Sequence, residues 1–513
     1  MVRALLVLAG AGLYALALPP FDCSCLAWLT LVPLLLVVPG GSVRQAFASG
    51  LLYGFGFGWM VTGWAAPAAA RYFALGLPLA SLALSVFYLL VSAPTFALFA
   101  AGAAALLRVG SGHAGRLAVA ALWVATEVVR GRFIGQPWGL LGYTQHAHTG
   151  LIQVAAVTGV YGVSFLLVLG NLALAEALER LGAGHPRMAL RPLVLPGLLV
   201  GTIWLGGAML EARGPAGGFA ARPVAIVQTN IAPAFRWTRV YSDRQVMAHA
   251  EATFGLSAAL HPALVVWPEN AVPRYLEGEP TLAAQLGDLA VRRGADLLFG
   301  TPRYEDGRTY NSVRLITAAG RSGGHYDKQR LVLLAEATPL LSTLPAGPDE
   351  SPRQFSAGTG PGVLQSFLPL GVSICHEILF PEMVGRTVRA GAELLVNVSN
   401  DGWLDGGHGI ASRQHFAMAA FRAVEARRYL VRAATTGVSG VIDPYGRVVD
   451  SLGPGAAGVI STSVAGRNTM TPYVRLGDAF AFSCMLLAAT GLYHRRRVNL
   501  VARPPILAPA TPA

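Results

Sequence analysis

Three side chains of catalytic type follow short apolar runs in the second half of the chain. Glu269 comes directly after "VVWP", Lys328 lies in "HYDKQRL", and Cys375 ends "GVSI". A thiol is a good acyl acceptor once it is ionised, but its ordinary pKa of about 8.5 calls for a base or a cation nearby. A glutamate can take that proton, and a lysine can stabilise the oxyanion of a tetrahedral intermediate. The three residue types therefore indicate acyl transfer through a covalent enzyme intermediate.

The use of lysine in this chain is unusual. Lys328 is the only lysine among 39 basic residues, and all the others are arginine. The ammonium of lysine is a compact point charge, whereas the guanidinium of arginine is planar. A site that needs a point charge therefore favours lysine over arginine. The simpler alternatives are a structural ion pair for Glu269 and Lys328 and a buried structural thiol for Cys375.

Such residues need a scaffold that brings strand ends together. From about residue 223 to residue 465, short apolar runs end in polar residues, and helical stretches such as 281–294 and 414–428 lie between them. Strands that alternate with helices indicate an α/β domain whose functional groups collect at strand ends. We predict a hairpin around 443–447 and strands over 224–230, 263–270, 295–302, 371–377 and 392–400.

The first 210 residues have a different composition. They hold 14 of the 66 Asp, Glu, Lys and Arg residues in a chain that is 53% hydrophobic. A spanning helix needs about 20 mostly apolar residues, because lipid offers its backbone no hydrogen-bond partner. We predict about eight transmembrane helices, seven in a domain over 1–210 and one after the α/β domain, at roughly 3–20, 26–39, 44–64, 74–107, 115–131, 151–180, 189–209 and 478–494.

Arginine placement predicts the orientation of these spans. The loops on the N-terminal side and the tail over 495–513 hold eleven arginines, whereas the opposite short loops hold three. Because positive residues favour the cytoplasmic side, both termini are expected in the cytoplasm and the domain over 223–465 outside it. Two alternatives are a cleaved signal peptide over 1–20 and a transporter with charges at mid-membrane. The six further apolar segments disfavour the first, and the position of Glu127 and Arg130 near a span end disfavours the second.

The remaining composition argues against other classes of partner. The net charge of +12 comes from scattered arginines without interleaved aromatic residues, which favours anionic lipid over nucleic acid. The four cysteines match no zinc spacing, and "GHGIASRQH", with His408 and His415, lacks a further ligand at metal spacing. We expect no metal and no nucleic-acid partner.

The segments "VVWPEN", "YDKQRLVLLAE" and "GVSICHE", in the order Glu, Lys, Cys, resemble the catalytic segments of the nitrilase superfamily. With the predicted spans around them, they resemble the apolipoprotein N-acyltransferase family over nearly the whole chain. The resemblance implies a nitrilase-like αββα sandwich joined to the membrane domain. It also implies the cytoplasmic (inner) membrane of a bacterium, with the catalytic domain on the periplasmic side.

The resemblance further implies roles for individual residues. Glu269 is expected to be the general base, Cys375 the nucleophile and Lys328 the group that stabilises the oxyanion. Four residues are expected to support them: Glu336, Glu377, His376 through its backbone N–H, and Trp237 in a segment that meets lipid. A direct role and a hydrogen-bonding role stay open for the two supporting glutamates, and a core position stays open for the tryptophan.

The implied reaction has two halves and needs no cofactor. Cys375 attacks an ester of a membrane phospholipid, typically phosphatidylethanolamine, and leaves a thioester and a lysophospholipid. The α-amine of an S-diacylglyceryl cysteine at the start of a lipoprotein then takes the acyl chain. The sequence departs from the family at Leu333-Leu334-Ala335, where Pro-Phe-Gly is usual, at His376, where Tyr is usual, and at Asn270, where Thr is common.

Three other functions stay open at this point. One is a membrane-bound nitrilase-type amidase, although such an enzyme needs one anchoring helix and not eight. Another is a paralogue with an altered acyl acceptor, as the departures from the family pattern allow. The third is a transporter or receptor with a degenerate catalytic domain, which has no reason to retain Glu269, Lys328 and Cys375 together.

Overall fold

The computed structural model describes residues 1–107, 112–214, 220–234, 237–257, 260–333, 335–337, 354–405 and 409–501. Leu334, His408 and the tail beyond residue 501 lie outside the described residues. The N-terminal part consists of α1 (Val2–Ala17), α2 (Val32–Val37), α3 (Val43–Thr62), α4 (Ala65–Tyr72), α5 (Leu77–Phe87), α6 (Ala93–Leu107), α7 (His113–Val128), α8 (Thr149–Ile152), α9 (Ala155–Thr158), α10 (Val160–Gly182), α11 (Pro186–Ala189) and α12 (Arg191–Ala212).

Three helical stretches of the described chain are long and apolar enough to cross a membrane. They are Leu77–Leu107, Val160–Gly182 and Pro186–Ala212, with mean hydropathies of 2.0, 1.7 and 1.9. Helix α1 and the segment Ser24–Val37 are apolar but shorter. The chain therefore has helices suited to a bilayer, as predicted.

The structure shows an irregularity of the helix in two of the predicted spans. The span predicted over 74–107 continues through Pro94, and a π-helical turn at Tyr88–Ser92 lies just before the proline. The span predicted over 151–180 is interrupted at Gly159, which has a φ of +66°. A Cβ there would lie 2.6 Å from the ring of Tyr473, so close packing requires glycine.

Small residues set the distance between α3 and α6. Gly50 and Gly54 lie one turn apart on α3, and a Cβ on either would come within 2.7 Å of the backbone of α6. In a membrane, where apolar side chains gain little by leaving lipid, such close approach of two backbones is a main source of helix association.

We expect Gly54→Ala to destabilise the helical bundle. The added methyl group would lie 2.7 Å from Cα of Ala93, and overpacking of this kind costs about 1–3 kcal/mol. Gly201→Ala on α12 is the matched control, because a Cβ there meets nothing within 4 Å. Thermal unfolding in detergent should show a lower midpoint for the first variant alone, and equal midpoints would contradict this packing.

The described residues of the second part of the chain form two six-stranded sheets, ordered β12-β1-β2-β3-β4-β5 and β11-β10-β9-β8-β7-β6. The strands are β1 (Arg222–Gln228), β2 (Leu264–Val266), β3 (Asp296–Glu305), β4 (Arg308–Ile316), β5 (Ser322–Asp327), β6 (Val363–Gln365), β7 (Pro369–Ile374), β8 (Leu394–Ser399), β9 (Leu430–Ala434), β10 (Ser439–Ile442), β11 (Val448–Leu452) and β12 (Gly458–Val464). The helices are α13 (Arg239–Phe254), α14 (Pro280–Arg293), α15 (Pro381–Arg389), α16 (Gly402–Asp405), α17 (Ile410–Ala426), α18 (Pro472–Leu476) and α19 (Ala479–Val501).

The two sheets stack face to face around one apolar core. Residues of both sheets, such as Val224 and Ile226 of β1 and Val372 and Ile374 of β7, belong to the same buried cluster. Helices α13 and α14 pack on the outer face of the first sheet, and α15 and α17 pack on the second. This layering is the predicted αββα sandwich, and the predicted hairpin is the antiparallel pair β10 and β11.

The outer surface of α17 is covered by the N-terminal helices. Met418 and Phe421 of α17 share one buried apolar cluster with residues of α1, α3, α7 and α10. Backbone and side chains meet across this interface too, since the N–H of Val160 donates to Glu425 at 2.9 Å. The second sheet, its helices and the N-terminal helices therefore share one buried apolar core.

Candidate active site

The three predicted catalytic residues follow strands of the two stacked sheets. Lys328 follows β5 and Cys375 follows β7 directly, whereas Glu269 lies three residues beyond β2. The segment of Glu269 approaches the backbone of β3 so closely that a Cβ on Gly300 would lie 2.6 Å from Cα of Glu269. The strand-end prediction is confirmed for all three positions.

Lys328 is held between two carboxylates. Its Nζ lies 2.7 Å from Oε1 of Glu336 and 3.3 Å from Oε1 of Glu269, and its side chain is 1% exposed. Burial alone lowers the pKa of Lys328, but the two carboxylates outweigh burial and raise it well above its usual value. The ammonium is therefore the favoured form of Lys328 in the folded protein.

Two asparagines also donate hydrogen bonds to these carboxylates. Nδ2 of Asn311, on β4, donates to Oε1 of Glu269 at 2.8 Å and to Oε1 of Glu336 at 2.9 Å. The backbone N–H of Asn400, after β8, donates to Oε2 of Glu269 at 2.8 Å. Both oxygens of Glu269 are thus oriented by fixed donors.

Cys375 lies at a sharp turn from β7 into a 3₁₀ segment, Cys375–Leu379. Its φ of +54° is in the left-handed region, which costs a non-glycine residue about 1–3 kcal/mol. Burial and the negative charge of Glu269 raise the pKa of its thiol to about 12, although Lys328 acts in the opposite direction. The resting group is a thiol, so a base must take its proton when it reacts.

Glu377 connects the segment that follows Lys328 to the turn at Cys375 by hydrogen bonds. Its carboxylate is fully buried and accepts hydrogen bonds from the backbone N–H groups of Gln329, Arg330 and Ile374, at 2.7, 3.0 and 2.8 Å, and from the hydroxyl of Tyr326. Among the described residues, the ion pairs of Lys328 are with Glu269 and Glu336 and not with Glu377. The geometry gives Glu377 a positioning role, whereas Glu336 contacts the ammonium itself.

The two other predicted residues lie at the edges of the site. His376 is half-buried, and burial together with Lys328 lowers its pKa well below the usual value, so the imidazole is neutral. Trp237 is half-buried in the loop between β1 and α13. The same loop lines a cleft of about 470 Å³, which also touches Arg71 and Tyr72 of α4 and Trp403 of α16. The cleft adjoins the site, because Tyr72 donates a hydrogen bond to the carbonyl of Ala335, next to Glu336.

Sequence reasoning missed Asn311 and Asn400. Asn311 lies at a fully buried position of β4, in "TYNSVRLI", where a strand that faces a core would carry an apolar residue. That buried polar position was the available signal. Asn400 acts through its backbone, for which side-chain identity gives no signal.

Comparison with known proteins agrees with this architecture. Residues 10–173 match the family described as apolipoprotein N-acyltransferase N-terminal domain, and residues 223–471 match the carbon-nitrogen hydrolase family. The apolipoprotein N-acyltransferase of Geobacter metallireducens is 34% identical over 510 residues, which cover 96% of this chain and 95% of that protein. The chain belongs to the apolipoprotein N-acyltransferase family. The enzyme of that family from Pseudomonas syringae pv. tomato is 34% identical over 505 residues, which cover 96% of this chain and 97% of that one.

Membership in the apolipoprotein N-acyltransferase family makes the chain an N-acyltransferase, and the match to carbon-nitrogen hydrolases confirms the nitrilase-like fold of its second part. Among solved structures, a mutant amidase from Nesterenkonia sp. AN1 is 20% identical with a TM-score of 0.37, and covers 51% of this chain and 94% of that one. Similarity over the helical part disfavours an amidase with a simple anchor.

We expect Glu269→Gln to make Cys375 easier to alkylate. The carboxylate raises the pKa of the thiol, so its removal lowers that pKa, and each unit of decrease raises the thiolate fraction about tenfold. The measurement is the rate of iodoacetamide labelling of Cys375 between pH 7 and 9. Glu336→Gln should act in the same direction but less, and the exposed Glu251→Gln should have no effect. An unchanged or slower rate in Glu269→Gln would contradict the electrostatic account.

Proposed function

We propose that this N-acyltransferase moves an acyl chain from a membrane phospholipid to the N-terminal amine of S-diacylglyceryl-cysteine lipoproteins, through a thioester on Cys375. Membership in the family supports the lipoprotein acceptor. The observation that carries the mechanism is the buried ammonium of Lys328 between Glu269 and Glu336, close enough to Cys375 for each charge to act on the thiol.

In the first half-reaction the sulfur of Cys375 attacks the ester carbonyl of the donor, and the thiol proton passes to Glu269. The oxyanion is stabilised by the ammonium of Lys328 and by the backbone N–H of His376, at the start of the 3₁₀ segment. The intermediate collapses to a thioester, and the lysophospholipid leaves as an alcohol with the proton from Glu269. The high pKa of the thiol is consistent with proton transfer during the attack and not before it.

In the second half-reaction the neutral α-amine of the lipoprotein attacks the thioester. Glu269 takes a proton from the amine, the same ammonium stabilises the second oxyanion, and the sulfur leaves and regains a proton. The products are an amide and free Cys375. Each half-reaction uses only groups of this chain, the donor and the acceptor.

The cleft beside the site suits a lipid donor. It lies between α4, in the helical part, the loop that carries Asn230, and Trp403 of α16. A donor whose acyl chains lie along the helices can present its ester at the cleft, and exposed Arg71 offers a cation to its phosphate. We propose phosphatidylethanolamine as the donor, with Trp237 in the loop that meets lipid.

We further propose eight spans, with both termini in the cytoplasm and the catalytic part on the periplasmic side of the inner membrane. Contacts with the catalytic part come from one end of the helical bundle. Pro19 after α1 and Val61 at the end of α3 accept hydrogen bonds from Gln414, and Val160 at the start of α10 donates to Glu425. All three positions belong to the side that the arginine asymmetry predicts to be periplasmic.

Two of the three arginines on the predicted periplasmic side make contacts within the protein that explain their position there. Arg130 is 3% exposed and donates to the carbonyls of Trp138 and Gly139, at 2.9 and 3.2 Å. Arg132 pairs with Asp478 just before α19. These two arginines stabilise the protein at the predicted periplasmic side, which supports the proposed orientation.

Acylation of Cys375 is the direct test of the function. Purified enzyme given phosphatidylethanolamine and a diacylated lipopeptide should show an acyl group on Cys375 by mass spectrometry, and then a triacylated peptide. Cys375→Ala should lower product formation more than about 1000-fold, because the nucleophile is lost. Cys23→Ala, at an exposed thiol, is the control and should keep full activity. A triacylated peptide formed by Cys375→Ala at the normal rate would exclude the mechanism.

Thiol labelling tests the orientation. Cys23 and Cys25 are exposed after α1, so a membrane-impermeant maleimide should label them in cells with an intact inner membrane. Ser42→Cys, at the exposed N-cap of α3 in a chain without those two cysteines, should be labelled only after the inner membrane is permeabilised. The reverse pattern would refute the proposed topology.

A further inference from the structure

Four buried polar side chains lie behind the cysteine turn and take no part in the mechanism above. They are Asn397 of β8, Asp401 after it, His415 of α17 and Arg432 of β9, and each is 0% exposed. Burial of charged and polar groups costs free energy unless they are paired. Their hydrogen bonds show what they hold in place.

Asn397 contacts the cysteine turn directly. Its Nδ2 donates to the backbone carbonyls of Cys375 and Ser373, both at 3.2 Å. Its Oδ1 accepts a hydrogen bond from Arg432. Because a guanidinium can only donate, it fixes the amide oxygen on its own side and directs the amide N–H group to the carbonyl of Cys375.

Asp401 connects this contact to the base. One oxygen accepts from Arg432 at 2.7 Å, and the other lies 3.1 Å from Nδ1 of His415 and accepts from Ser399 at 2.6 Å. Burial raises the pKa of Asp401, but Arg432 and His415 outweigh burial and hold it below the usual value. The carboxylate is therefore ionised, and it follows Asn400, whose backbone N–H donates to Glu269 at 2.8 Å.

The same residues connect to the helical part through α17. Gln414 accepts from Nε1 of Trp138 at 2.7 Å and donates to the carbonyls of Pro19 and Val61. The ring of His415 lies 5.5 Å from that of Trp138. The position of His415 is thus set on one side by the membrane-domain segments and on the other by Asp401.

A buried ion pair of this kind adds little to stability compared with an apolar core, and its hydrogen bonds to the cysteine turn point to a geometric role. We propose that Asn397, Asp401, His415 and Arg432 are positioning residues for acyl transfer. They hold Cys375 in its left-handed turn and, through Asn400, hold the carboxylate of Glu269 in reach of the thiol. The inference rests on the proposed nucleophilic role of Cys375.

The test compares two histidines in the same kind of environment. His415 and His249 are both 0% exposed, and each ring packs on a tryptophan, at 5.5 Å from Trp138 and 5.2 Å from Trp267. His249 lies on α13, against the other sheet. His415→Phe should lower the single-turnover rate of acyl-Cys375 formation about 10- to 100-fold, as expected for a small misplacement of reacting groups. KM for the phospholipid should change less than about twofold, since only transition-state geometry is affected.

His249→Phe should lower the thermal midpoint about as much as His415→Phe does. It should leave the acylation rate within about twofold of wild type, because the described hydrogen bonds of this histidine stay within α13 and do not reach Cys375 or Glu269. His415→Asn keeps a polar atom near the Nδ1 position and should recover part of the lost rate. If both phenylalanine variants lose rate equally, or if His415→Phe acylates at the wild-type rate, the inference is overturned.

Two further outcomes distinguish a failure of this inference from a failure of the proposed function and from a failure of the variant to fold. If wild-type enzyme forms no acyl-Cys375, the proposed function itself fails. If His415→Phe does not fold, Asn397→Asp replaces it, because this variant keeps the acceptor for Arg432 and removes the donor to the carbonyl of Cys375. A similar loss of rate supports the inference, and a wild-type rate in Asn397→Asp overturns it.

Discussion

The buried ammonium of Lys328 is the constraint on which the geometry of the site depends. A charge that is 1% exposed must be balanced within the protein, and Glu269 and Glu336 do this at 3.3 and 2.7 Å. Two carboxylates around one ammonium leave a net negative charge beside Cys375. The resting cysteine therefore stays a thiol, and one of the carboxylates that make the thiolate costly is available to remove the proton.

Glu269 and Cys375 could be predicted as candidate site residues because each follows a run with a clear apolar signal. Lys328 follows β5, whose sequence "SGGHYD" has no such signal, and it was found by its residue type and by the resemblance. The predicted strand over 371–377 overlaps β7, the one over 392–400 contains β8, and the predicted helix over 414–428 overlaps α17. Parallel strands bring their ends to one edge of a sheet, so residues far apart in the chain were expected to meet. That rule does not depend on any particular side chain.

Other features depend on distant contacts and left no local signal. The network behind the cysteine turn joins positions 397 and 432, on neighbouring strands, with position 415 on a helix otherwise rich in alanine. The break at Gly159 is set by the ring of Tyr473, more than 300 residues later in the chain. Periodicity reports which face of an element is buried, but it does not report which partner buries it.

The shared apolar core has a consequence for any attempt to isolate the chemistry. In this protein α17 is buried on both sides, by the sheet beneath it and by the helical bundle above it. A fragment that starts near residue 220 would expose Met418, Phe421 and their neighbours to water as one continuous patch, and patches of this kind drive association. Such a fragment would aggregate unless those side chains were first redesigned as polar ones.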